Sequence, residues 1–263
     1  MRSKDTQYWD EIAQTWSSEH PQRLWRSFCD RLNSQLMRQN LETCKNGTAL
    51  KTDLFDEATG EIGLVPQLAE FSGQVVGIDI SQVTCRVATG RHPSLGACSG
   101  DARALPFSDK SFDIVLSNST LDHMERVDDI GTALGEIHRV LRPGGRLLLT
   151  LDNFCNPVIV LRTILPHRLL TGLGLVPYYV GATCGPKRLR SLVEKAGLEP
   201  KMMGAMMHCP RLPAVATANL LDRFGPGGLK TLFSDSLFWW EALERLPTRY
   251  LTGYFIRIVA DRP

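Results

Sequence analysis

TALKTDLFDEATGEIGLVPQLAEFSGQVVGIDIS, residues 48–81, decides how the rest of the chain is read. It opens with a short strand-like run that ends in an acidic turn, Asp53 to Glu57. A short helix signal follows, with Pro66 in its first turn, where a missing N–H costs nothing. Val75 to Ile80 is a second buried-strand run and carries Asp79 near its end. Strand, turn, helix, strand and acid is the plan of a mononucleotide-binding βαβ unit, in which the ligand sits at the carboxyl ends of the strands. Asp79 lies 19 residues after Gly60, close to the roughly 20 expected of an acid that binds ribose hydroxyls. The glycine fingerprint is missing: Gly60 and Gly63 are the only glycines near the turn. A pyrophosphate needs bare backbone N–H groups at close approach, and Asp56 and Glu57 repel it. The expected ligand is therefore an adenosine-type molecule without phosphates and with a cationic centre, which points to S-adenosylmethionine (SAM).

Working outward, strands alternate with helices on the downstream side. Val83 to Arg91 is a weakly patterned helix, and Gly96 to Gly100 is a short strand ending at Asp101. Phe112 to Leu116 alternates little and reads as a strand buried on both faces, running into Ser117, Asn118, Ser119 and Thr120. Asp128 to Leu141 is an amphipathic helix, Pro143-Gly144-Gly145 a turn, and Arg146 to Leu151 a fifth strand. This alternation implies a parallel, doubly wound sheet. Upstream, Tyr8, Trp9, Ile12, Ala13 and Trp16 share one helical face, and Leu24, Phe28, Leu32 and Leu36 form a second stripe. The first helix reads either as flank packing or as a lid whose Tyr8 ring closes on a cationic cofactor.

GIDIS, GDARALPFSDKSFDIVLSNSTLDH and HRVLRPGGRLLLT resemble, in order and spacing, the successive motifs of class I SAM-dependent methyltransferases, most closely their small-molecule branch that includes quinone-biosynthesis enzymes. The resemblance covers residues 46–152 and returns at Tyr250 to Val259, similar to the family's last strand. It implies a Rossmann-like, doubly wound, seven-stranded α/β sheet with its last strand antiparallel. On this reading residues 1–45 are N-terminal helices and residues 46–263 the SAM-binding domain, with substrate-pocket insertions at about 153–185 and 209–247, after the fifth and sixth strands.

The resemblance also implies a site. Asp53 or Glu57, with Gly60 in the same turn, faces the cofactor's amino group. Asp79 takes the ribose hydroxyls and Ile80 lies against the adenine. Asp101 accepts from the adenine amino group, Ala102 lies beside the ring, and Ser117 and Asn118 line the methionine end. Each acid has a structural rival: Asp101 caps a turn, or Asp53 caps a helix. The opening turn departs from the family's Asp-x-Gly-x-Gly-x-Gly pattern.

Methyl transfer needs mainly a near-attack geometry; a phenol or carbon acid also needs a base. His123 is the first candidate, followed by His208 and Asp152, both expected near strand ends. Tyr178, Tyr179, Arg162 and Arg211 are pocket candidates by position. With Arg168, the two arginines suggest an acceptor that bears an acidic group.

Bulk properties narrow the classes. A net charge of +2 argues against a dedicated nucleic-acid binder, although residues 157–263 hold 14 basic and 7 acidic side chains. Seven cysteines without C-x-x-C spacing indicate neither a disulfide framework nor a metal site. The N-terminal residues lack a signal-peptide core, and no run approaches the roughly 20 apolar residues of a membrane span. The expectation is a cytoplasmic enzyme that moves a methyl group from SAM to a small, partly apolar acceptor. The alternatives are a rearrangement catalyst of the same fold that binds SAM without methylating, and a non-catalytic binding module. The oligomeric state is left open.

Overall fold

The computed structural model describes residues 4–19, 22–42, 44–60, 62–166, 170 and 179–263. Helices α1 (Lys4–Glu19) and α2 (Arg23–Asn40) precede strand β1 (Cys44–Lys51). Two short helices, α3 (Phe55–Thr59) and α4 (Val65–Leu68), lead to β2 (Ser72–Asp79); Pro66 sits in the first turn of α4, as the sequence suggests. Then come α5 (Gln82–Arg91), β3 (Leu95–Ser99), β4 (Phe112–Asn118), a 3₁₀ turn (Leu121–His123), α6 (Val127–Val140) and β5 (Leu141–Asp152). The remainder holds α7 (Pro157–Ile164), α8 (Pro186–Lys195), β6 (Glu199–Met206), α9 (Arg211–Phe224), α10 (Gly227–Trp239), a 3₁₀ turn (Trp240–Arg245), α11 (Arg249–Thr252) and β7 (Phe255–Asp261).

The seven strands form one sheet in the order β3-β2-β1-β4-β5-β7-β6. All neighbours run parallel except β7, which is antiparallel to both β5 and β6. The order reverses between β1 and β4, so the crevice for a ligand opens at the carboxyl ends of those strands. Both faces of the sheet are covered. One carries the apolar side of α2 with Leu54, Leu64 and Leu68; the other carries α6, whose Ile130, Leu134, Ile137 and Val140 are fully buried, together with Leu189 and Val193 of α8.

Two boundaries differ from the sequence reading. Tyr250 to Thr252 form a helical turn that ends at Gly253, so the last strand begins at Phe255 and not at Tyr250. The Pro143-Gly144-Gly145 segment lies within an extended β5, where Gly144 adopts φ +78° and its N–H donates to the Arg262 carbonyl at 2.7 Å. No helix among the described residues is long and apolar enough to cross a membrane.

Candidate functional site

The acidic turn after β1 sets the floor of the site. Lys51, fully buried at the end of β1, pairs with the equally buried Glu57 at 2.9 Å and donates to the Asp53 carbonyl. Glu57 also accepts from the Leu64 N–H at 2.9 Å, which ties α3 to the start of α4. Burial opposes the Lys51 charge most strongly, but the combined attraction of Glu57, Asp53 and Asp56 outweighs it and raises the Lys51 pKa. Where the family pattern has glycines, this chain thus folds a short helix around a buried ion pair. Gly77 makes room for it: a Cβ there would meet the Leu54 side chain at 2.5 Å. Gly60 closes the same helix, and a Cβ on it would meet the Asp56 carbonyl at 2.5 Å.

Above this floor the carboxyl ends of the strands line a cavity of about 420 Å³. Asp53 and Asp56 enter it from the turn after β1, and Asp79 and Ile80 from the end of β2. Asp101, Ala102 and Arg103 enter after β3, and Asn118 to Thr120 at the end of β4. Asp79 is 8% exposed and holds the site together: one carboxylate oxygen accepts from the Leu54 N–H at 3.0 Å, the other from the Ser81 N–H at 2.8 Å. Burial and the nearby Asp53 charge push the Asp79 pKa up to about 7. Burial also raises Asp53, whose Oδ1 accepts from the Phe55 N–H at 2.9 Å ahead of α3. Asp53 therefore combines the two roles the sequence leaves open, a turn cap and a cavity wall. Asp101 is bonded by Arg103, with Nε at 3.0 Å from both oxygens, and these bonds outweigh burial to lower its pKa.

The opposite wall comes from α1 and the segment before α8. Tyr8 and Trp9 line the cavity. The Tyr8 hydroxyl accepts from the Tyr179 N–H at 2.7 Å, and the Trp9 ring meets the His123 ring edge-on at 4.9 Å. Buried Asp10 accepts from the Ser81 hydroxyl at 2.6 Å and the Val83 N–H at 3.2 Å, fastening α1 to the start of α5. His123 Nδ1 lies 3.2 Å from the Tyr179 carbonyl. That contact favours the tautomer with its proton on Nδ1 and leaves Nε2 as the basic atom.

Of the residues expected here, Tyr8, Asp53, Asp79, Ile80, Asp101, Ala102, Asn118, His123 and Tyr179 share this one cavity. Others lie elsewhere for stated reasons. Glu57 is committed to Lys51, and Gly60 terminates α3. Ser117 is fully buried in β4, on the side opposite Asn118 by strand alternation. Asp152 is buried against Arg162, whose guanidinium also donates to the Tyr254 hydroxyl at 2.9 Å. His208 bonds Thr252 Oγ1 at 2.8 Å and approaches Glu244 at 3.5 Å, a packed structural arrangement. Arg211 stacks over the Tyr254 ring at 4.6 Å. The two described arginines therefore have protein partners, and the acidic-acceptor expectation loses its support from them. Tyr178 and Arg168 lie outside the described residues. Sequence reasoning missed Phe55, Thr120, Met124 and Arg103 as lining residues. Arg103, two positions after a strand-end acid, carries the clearest signal of the four.

Residues 55–149 match the family model described as "Methyltransferase domain". The chain is 35% identical over 121 residues to a demethylmenaquinone methyltransferase of Streptomyces avermitilis, an alignment covering 46% of this chain and 50% of that protein. The chain spans about half the length of the curated relatives it matches. Among solved structures, the [4+2]-cyclase SpnF superimposes with a TM-score of 0.65 at 19% identity, covering 100% of this chain and 96% of that one. The geranyl diphosphate C-methyltransferase of Streptomyces coelicolor A3(2) gives 0.58 at 13% identity, covering 89% and 77%. At such identities these neighbours show the fold alone, a Rossmann-like doubly wound sheet. The matched segment runs through β2, β3, β4 and most of β5 and supplies most of the cavity wall.

Proposed function

We propose that the protein transfers a methyl group from SAM to a small, partly apolar acceptor. One observation carries this reading: a single cavity at the strand ends gathers Asp53, Asp56 and Asp79 with the rings of Tyr8, Trp9 and Phe55. Asp53 and Asp79, both raised by burial and Asp79 also by the Asp53 charge, call for a cation to offset them. A phosphate would aggravate that repulsion, while a ligand bearing a sulfonium and an ammonium relieves it. Asn118 Oδ1, buried and without a hydrogen-bond partner in the protein, marks an acceptor left for a ligand donor. The relative named demethylmenaquinone methyltransferase points toward a lipophilic acceptor of the same general kind.

In this reading Asp79 keeps its two backbone N–H bonds and uses its remaining lone pairs on the ribose hydroxyls. Ile80 and Ala102 flank the base. Asp53 and Asn118 receive the ammonium end, and SAM supplies an activated methyl group when bound. Helix α1 acts as a lid that excludes water, held shut by Asp10. His123 takes the acceptor's proton through Nε2 where the acceptor needs one removed. The chain's other contribution is orientation, which is the larger part of such a reaction. The test is titration calorimetry with SAM and its demethylated product, followed by product mass with lipophilic phenols and quinols. A mass gain of one methyl group supports transfer. An isomer of unchanged mass, or no binding of SAM, overturns it.

A further inference from the structure

Helices α9 and α10, between β6 and β7, turn an apolar face outward. On α9, Leu212, Ala216, Leu220 and Phe224 follow one another at four-residue spacing and are all exposed, Leu220 by 60% and Phe224 by 78%. The inner face of the same helix buries only Ala214 and Ala218. On α10, Leu229 and Leu232 are exposed, and Trp239 at its end is 75% exposed. A helix ordinarily buries its large apolar residues and shows the small and polar ones; α9 does the reverse. Contiguous exposed apolar surface of this kind marks an interaction site.

The charges say what it meets. Four acidic residues lie between positions 211 and 251, and each is engaged with the body of the protein. Asp222 accepts from the Leu24 N–H at 3.1 Å, and Asp235 pairs with Arg31 at 3.1 Å. Glu241 accepts from the His208 N–H and Glu244 from the Ala205 N–H, each at 2.9 Å. Arg223 and Arg245 of the same segment are exposed. The exposed surface of this segment thus combines leucine, phenylalanine and tryptophan with arginine; its one exposed acid, Asp235, is neutralised by Arg31, and Asp222, Glu241 and Glu244 are half-buried.

We propose that this face rests on a lipid surface bearing anionic headgroups. Leu220, Phe224 and Trp239 enter the headgroup–acyl boundary, and the arginines meet the anionic heads. An exposed tryptophan suits that boundary, where its ring is half in water and half in lipid. Such docking would bring the protein to where an apolar acceptor dissolves, yet it is measurable without any activity.

The test is co-sedimentation of the full chain with phosphatidylcholine vesicles and with vesicles of phosphatidylcholine and phosphatidylglycerol in equal parts. Binding to the mixed vesicles, weakened by salt and by Arg223→Glu with Arg245→Glu, supports the proposal. Phe224→Glu should lower partitioning at least about tenfold, in proportion to the apolar area withdrawn from lipid, with an unchanged melting transition. Leu220→Gln, a milder change on the same stripe, keeps the test decisive where the glutamate variant fails to fold. No binding to the mixed vesicles, or equal binding to both kinds, overturns it. So does a dimer of the unmodified protein in sedimentation velocity that Phe224→Glu dissociates.

Discussion

At the scale of single residues, Asp79 and Arg162 show how differently two buried charges are used. Asp79 faces the cavity with lone pairs to spare, whereas Arg162 is turned to Asp152 and Tyr254. Asp79→Ala should weaken SAM binding at least about tenfold, since hydrogen bonds to a charged acceptor contribute about 1.5–3 kcal/mol. The substitution also leaves the Leu54 and Ser81 N–H groups unpaired, so the melting transition should fall as well. Asp79→Asn, which keeps the shape, separates the two effects; calorimetry that finds its affinity unchanged would remove Asp79 from the ligand site. Arg162→Met should leave SAM affinity untouched but destabilise the fold by about 3–5 kcal/mol, because Asp152 is then an uncompensated buried charge. Pairing it with Asp152→Asn should restore most of the loss in urea unfolding. A lone Arg162→Met variant as stable as the parent would mean that the pair does not hold the end of β5.

At the scale of elements, the fastening of α1 is the feature with the most direct functional consequence. Asp10 reaches across to Ser81, the cap residue of α5, and so binds α1 to the residue whose N–H also holds Asp79. Asp10→Ala should free α1 without unfolding the sheet, because none of the described side chains of α1 belongs to the two core clusters. The expected result is faster amide hydrogen exchange across residues 4–19 and SAM binding weakened about three- to tenfold, as the two charge-assisted bonds from Ser81 and Val83 are lost. Exchange in α1 that is unchanged, with affinity also unchanged, would mean that Asp10 is not the latch. The elements differed in how legible they were. Strands β2, β4 and β5 and helix α6 announce themselves by long apolar runs or a helical stripe, and the acid after each early strand end lands in the cavity. The turn after β1 was less legible, because Lys51 and Glu57 look like surface charges until both are seen buried together. Asp152 and His208 were misplaced for a related reason. A position near a strand end is readable from sequence, but which way the side chain turns depends on partners far along the chain, here Arg162, Thr252 and Glu244.

At the scale of the whole molecule, the carboxylates divide into two groups that pull stability in opposite directions with pH. Asp30, Asp79 and Asp122 are each pushed up to about 7, chiefly by burial, so the folded state binds protons that the unfolded chain has already released. Their contribution is fully present below the unfolded carboxylate pKa and is lost as pH rises through about 7. Hydrogen bonds from arginines hold Asp101 and Glu136 below their ordinary values, and those from His208 and the Ala205 N–H do the same for Glu244; their contribution is lost only when pH falls beneath that range. Without ligand, the melting temperature should therefore peak near about pH 5 and decline toward about pH 7.5, each raised group adding a slope of at most about 1.4 kcal/mol per pH unit. A cationic ligand changes the sign locally. It favours ionised Asp79, so SAM should bind more tightly as pH rises through about 7 and should release protons on binding. Calorimetry in two buffers of different ionisation heat reads that release directly, and Asp79→Asn should abolish most of it. Proton uptake, or an affinity that falls between about pH 6 and about pH 8, would show that the buried acids are not what the cation meets.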